Sequence, residues 1–112
     1  MYGCHKKEQP GICRIFPYLL SKMNPYFIFE ESRFGVQKSK ESTARVAMFK
    51  ELNRMPAIYT MESSFAGMDR GKHEGVHFTD LMLMTLGVDL CRSILAYHNI
   101  YIAEELRSLP MF

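Results

Sequence analysis

Ala57-Ile-Tyr-Thr-Met-Glu-Ser-Ser-Phe65 is the stretch on which the fold of this chain turns. β-Branched and aromatic residues dominate it, and Pro56 and Gly67 bracket it, so it reads as a short strand. A period of two puts Ile58, Thr60, Glu62 and Ser64 on one face, and Ala57, Tyr59, Met61, Ser63 and Phe65 on the other. Glu62 then stands near the C-terminal end of a largely apolar strand. Taking a lone carboxylate out of water is expensive, so a Glu there faces solvent at a sheet edge or has a partner or a task. The stretch alone leaves both readings open.

Working outward, the 112 residues allow at most one domain, and 47% hydrophobic content is enough for an ordinary core. Fourteen basic residues against twelve acidic give a net charge of +2, which does not suggest bulk nucleic-acid binding. Cys4, Cys13 and Cys91 are odd in number and lack CxxC spacing, as expected of free thiols in a reducing compartment rather than a disulfide framework. No apolar run approaches the length of a membrane span, and the N-terminus shows no signal-peptide pattern. The expectation is a soluble, cytoplasmic protein.

Upstream, Ile12, Ile15, Phe16, Leu19, Leu20 and Met23 recur at spacings of three and four and predict a helix over Gly11–Met23. Pro17 falls inside it and removes one internal hydrogen bond, so the helix kinks or effectively begins there. Asn24-Pro25 ends it. Tyr26–Phe29 is a short apolar run suited to core packing, and Glu30–Ser42 reads as a solvated loop. Ser42 or Thr43 can cap a second helix over Ala44–Leu52, with Val46, Met48, Phe49 and Leu52 as its apolar side. Arg45 lies in its first turn, where the helix end already carries partial positive charge. Such a placement suits a bound anion, or a surface pair with Glu41.

Downstream, Gly67, Gly71 and Gly75 mark a loop, and Thr79 caps a long helix over Asp80–His98. Leu83, Leu86, Leu90 and Ile94 form one stripe, and Met84, Val88, Cys91 and Leu95 the next. Thr85, Asp89, Arg92, Ser93 and Ala96 fall opposite, so the apolar stripes are expected to be buried across a sheet. A short terminal helix is expected around Ile102–Leu109. His73-Glu-Gly-Val-His77 matches the H-E-x-x-H pattern of zinc proteases, which needs a helix to aim both imidazoles at one metal. With Gly75 inside it and the Thr79 cap after it, the segment is read as a loop and no metal ligands are assigned.

With these elements placed, Tyr59-Thr-Met-Glu-Ser-Ser-Phe65, preceded by Gln37-Lys-Ser-Lys-Glu-Ser-Thr-Ala-Arg-Val46, resembles the C-terminal part of a cytosolic carboxypeptidase. These are zinc carboxypeptidases that trim glutamates from tubulin tails. The opening Tyr2-Gly-Cys4, the Ile15-Phe-Pro17 helix start, the Gly71-Lys72 loop and the Phe78-Thr-Asp-Leu81 helix start fit as well, so the resemblance runs from residue 2 to about residue 97. It implies an α/β fold: a mixed sheet flanked by helices, Ala57–Ser64 an inner strand, residues 1–98 the C-terminal part of the catalytic domain and 99–112 a tail.

The resemblance also implies roles. Glu62 matches the general base that activates zinc-bound water and then protonates the leaving amine. Arg45 lies where the family carries the basic residue selecting an acidic side chain, and Lys38 and Lys40 would add to a cationic pocket for glutamate. The implied partners are acidic, tubulin-like protein tails, not nucleic acid or a membrane. The family's zinc ligands, an H-x-x-E pair and a histidine in a His-Gly-His-Ser-type segment, lie upstream of Tyr-Gly-Cys, and so do the residues that grip the substrate's terminal carboxylate. No tyrosine falls in Glu30–Leu52 to match the mobile phenol of related digestive enzymes. The expectation is therefore a piece of a metallocarboxypeptidase, inactive alone. Its rival is a non-catalytic fragment or short isoform that binds acidic tails through Arg45, Lys38 and Lys40.

Overall fold

The computed structural model describes residues 1–98, so the tail at 99–112 and its expected helix lie outside the described residues. Three α-helices carry the architecture: α1 (Ile12–Met23), α2 (Ala44–Glu51) and α3 (Asp80–Tyr97), with single 3-10 turns at Phe29–Glu31 and Lys38–Lys40. The helix expectations hold to within a residue. The Thr79 hydroxyl caps α3 by accepting from the Met82 N–H at 3.2 Å. Thr43 precedes α2, but its hydroxyl donates to the Lys40 carbonyl at 2.7 Å instead of capping the helix. Of the expected apolar side of α2, only Val46 and Phe49 are buried, while Met48 and Leu52 are exposed.

Helix α1 runs unbroken through Pro17. Proline has no N–H, so the Cys13 carbonyl four residues earlier loses its helical partner. The Tyr59 hydroxyl donates to that carbonyl at 3.0 Å. The missing hydrogen bond is thus replaced from outside the helix, and the same bond ties α1 to the extended run 57–65.

The mixed sheet expected around Ala57–Ser64 is not formed. Among the described residues, extended chain pairs only in isolated bridges. Tyr2 sits at the middle of the main set, parallel to Arg33 on one side and antiparallel to Thr60 on the other. The bonds are Tyr2 N–H to Thr60 O (2.8 Å), Thr60 N–H to Tyr2 O (2.9 Å), Gly3 N–H to Arg33 O (2.9 Å) and Arg33 N–H to Met1 O (3.0 Å). A strand persists when consecutive residues pair across a face of several strands. The run 57–65 meets its neighbour only at Thr60, so it stays extended without becoming a strand.

Its alternation nevertheless survives. Tyr59 and Met61 pack on a cluster of Met1, Phe16 and Leu20, joined by Phe27, Leu86, Leu90 and Tyr97. Ile58 packs on the other cluster, Cys4, Val46 and Phe49, beneath α2. The period of two thus sends neighbouring residues of one segment into two cores.

The largest departure concerns α3, which packs on α1 with Leu86 and Leu90 of the first expected stripe on the core, but with Asp89 and Ser93 of the expected polar side buried where most of the second stripe was expected. Asp89 is 2% exposed and Ser93 fully buried, whereas Leu81 and Met84 are 71% and 70% exposed and Val88, Cys91 and Ile94 also face out. The cause is a polar join. Asn24, at the end of α1, donates to Asp89 Oδ2 at 3.0 Å, and Arg92 donates to Asp89 Oδ1 at 2.9 Å. Ser93 donates to the Asp89 carbonyl at 2.7 Å. Once Asp89 has these partners its burial no longer costs what a lone carboxylate would, and the helix can bury Asp89 and Ser93 alongside Leu86 and Leu90. No helix among the described residues is long and apolar enough to cross a membrane.

Candidate functional site

A cleft of about 490 Å³ opens between residues 1–2, the chain after α1 (Asn24–Ile28), the end of the 57–65 run and the first turns of α3. Glu62 lies on its wall, exposed, beside Ser63, Ser64 and Met61. The alternation that commits Tyr59 and Met61 to the core leaves Glu62 outside it. The α-ammonium of Met1 shares the cleft; burial pushes its pKa down, and the charges of Glu62 and Glu31 act against that shift.

A fifth wall is the loop from Gly67 to Phe78, folded back on itself like a short hairpin. Met68 N–H bonds Val76 O at 2.9 Å, Gly75 N–H bonds Met68 O at 2.9 Å, and Phe78 N–H bonds Ala66 O at 3.0 Å. Gly67 is required here, because a Cβ on it would stand 2.2 Å from the Val76 carbonyl oxygen. Gly75 turns the tip with φ of +84°. This fold-back carries the H-E-x-x-H segment, which is a loop as read. His73 lies against the ring of Tyr26 at 5.0 Å between centroids, and His77 bridges to Gly67. Among the described residues no three His, Cys, Asp or Glu side chains are grouped so as to hold a metal ion.

The same fold-back sets Asp69 and Arg70 at the cleft. Arg70 donates through Nε and Nη2 to the two carboxylate oxygens of Asp69, at 3.3 and 3.2 Å, and through Nη1 to Glu31 Oε2 at 3.1 Å. The guanidinium holds the Asp69 carboxyl below its usual range, and Asp69 in turn raises Arg70. All three groups are exposed and screened by water.

The other residues singled out in the sequence are not gathered around Glu62. Arg45 does not line the cleft; its guanidinium lies 5.6 Å from the ring centre of Tyr2, and Tyr2 does line it. Its Nε is buried without a hydrogen-bond partner. Lys38 and Lys40 are exposed on their 3-10 turn, away from the cleft lining. Sequence reading missed Glu31, Asp69 and Arg70. Only the glycines around Arg70 hinted at a folded loop, and nothing local pairs residue 31 with residue 70.

Similar curated proteins are all cytosolic carboxypeptidases. Cytosolic carboxypeptidase 2 of Xenopus tropicalis is 42% identical over 101 residues, which is 87% of this chain and 10% of that protein. Cytosolic carboxypeptidase 2 of Mus musculus is 41% identical over 102 residues, covering 87% of this chain and 11% of the relative. Cytosolic carboxypeptidase 1 of Homo sapiens is 34% identical over 110 residues, with 85% and 9% covered. The chain spans about a tenth of the length of the curated relatives it matches, in their C-terminal region. No family model matches the chain, and no solved structure matches it.

Proposed function

We propose that this chain, which is homologous to a C-terminal segment of the cytosolic carboxypeptidases, supplies the acid–base residue of a metallocarboxypeptidase acting in the cytosol. The reaction is removal of C-terminal or branch glutamates from acidic protein tails such as those of tubulin. The observation that carries the reading is Glu62 on the wall of a cleft, in a segment whose relatives are all named carboxypeptidases. Glu62 takes a proton from the attacking water and delivers it to the departing amine, which requires a carboxylate open to substrate and solvent. Arg45 selects the acidic side chain, and Lys38 and Lys40 add positive charge to its approach.

Zinc, which the family resemblance implies, does not fit the described residues, because they bring no three ligating side chains together. The chain alone is therefore expected to release no glutamate from a polyglutamate peptide and to bind no stoichiometric zinc. Chelator-sensitive release of glutamate would overturn that expectation.

A second reading has its own support in the exposed Lys38–Lys40 turn just ahead of α2 and Arg45: a non-catalytic module that binds acidic tails. Both readings require the chain to bind a glutamate-rich peptide, with an affinity that falls as salt rises. Fluorescence anisotropy with a labelled peptide tests this. Binding that disappears in Arg45→Ala supports the assigned role of Arg45; binding to glutamate and glutamine peptides alike sinks both readings.

A further inference from the structure

Among the residues that line the Glu62 cleft, Arg70 is the one lysine, arginine or histidine. We infer that Arg70 is a specificity-determining residue of this cleft, reading a second carboxylate of an acidic peptide bound beside Glu62; the inference rests on the acidic-peptide reading above.

The geometry is that of an anchored guanidinium. Arginine has five N–H donors in a planar fork. Asp69 takes Nε and Nη2 side-on, and Glu31 takes Nη1 from the chain after α1. Three donors are engaged, which leaves one on each terminal nitrogen for a carboxylate without displacing either partner. Asp69 and Glu31 lie 38 residues apart in the chain, so the plane of Arg70 is fixed from two separate walls of the cleft. A free surface arginine would lose rotamer freedom on binding; one held in this way has less to lose.

The charges of the cleft make Arg70 necessary to that reading. Glu31, Glu62 and Asp69 all line it, and an incoming carboxylate meets their repulsion. Lys38, Lys40 and Arg45 stand outside the lining and cannot compensate at the same spot. Without Arg70 the Met1 α-ammonium alone would face these three acids, and the cleft would favour amides or amines over acids.

The test is a pair of labelled peptides, one ending in consecutive glutamates and one in consecutive glutamines, titrated by anisotropy at low salt. The chain, Arg70→Ala, Arg70→Lys and Arg45→Ala are compared, with circular dichroism as the check on folding. The chain is expected to prefer the glutamate peptide by about tenfold, and Arg70→Ala to bring that preference close to parity. Arg70→Lys keeps the charge and loses the fork, so it should retain only part of the preference.

A folded Arg70→Ala that keeps the full preference overturns the inference and leaves the proposed function standing. No preference in the unaltered chain overturns the proposed function, and this inference with it. If Arg70→Ala does not fold, Arg70→Lys decides: full preference there overturns the inference, because a mere tether between loops needs only the charge.

Discussion

The α1–α3 interface and the extended run 57–65 treat their polar groups in opposite ways. Between the helices, Asn24, Asp89 and Ser93 are buried and joined to partners within the chain. Along the run, one residue is bridged, Glu62 is exposed and Phe65 stands 95% exposed. The first region is closed by satisfied hydrogen bonds, so its cohesion belongs to the fold. The second is held mainly by Tyr59, Met61 and Ile58 reaching into two cores, which leaves its outward groups available for chemistry.

The hardest blow to that contrast would fall at the closed region. Asp89→Ala removes the acceptor for the Asn24 amide and the carboxylate facing Arg92, and should cost about 3 kcal/mol in urea unfolding. A change below about 1 kcal/mol would mean the join is not what holds α3 to α1.

Tyr59→Phe comes next, because it cuts the bond to the Cys13 carbonyl and leaves the ring in the core; about 1 kcal/mol is expected. Burial raises the Tyr59 pKa from its ordinary 10.0. The unfolded chain therefore ionises this phenol at a pH where the folded chain still holds the proton. The stabilisation is complete below the ordinary value and is lost as pH rises beyond it. Urea midpoints measured from about pH 9 to about pH 11 should fall in the unaltered chain and fall less in Tyr59→Phe.

The smallest effect is expected on the outer side of α3. Met84→Lys should change stability by no more than about 0.5 kcal/mol, because that side chain is already in water. A loss well beyond this would mean that the stripe of Met84 and Val88 is buried after all.

Helix positions were legible because they depend on neighbours three and four residues away and on local caps such as Thr79. The alternation of 57–65 was legible for the same reason: it is a property of the backbone. On α3 the packing of Leu86 and Leu90 was legible too; the burial of Asp89 and Ser93 was not, because apolar spacing cannot reveal that Asn24, 65 residues earlier, would supply Asp89 with a buried partner. The sheet failed at the same level, since pairing depends on what lies alongside Thr60. Glu62 and Arg45 were singled out by strand alternation and by a helix first turn, and the family resemblance added their roles; of the two, Glu62 lines the cleft. Arg70 and Glu31 carry no motif and meet only through the fold-back between Gly67 and Phe78.

Pro17 has a consequence for how this chain can vary. The Tyr59 hydroxyl has its acceptor because proline leaves the Cys13 carbonyl without a helical donor. With alanine at 17, the backbone N–H would claim that carbonyl, and the hydroxyl would become nearly superfluous. Tyr59→Phe should therefore cost less in a Pro17→Ala background than alone, a coupling that a double-mutant cycle reads directly. Positions 17 and 59 would then drift as a pair: relaxing the proline first opens a path to losing the tyrosine, while the reverse order is penalised.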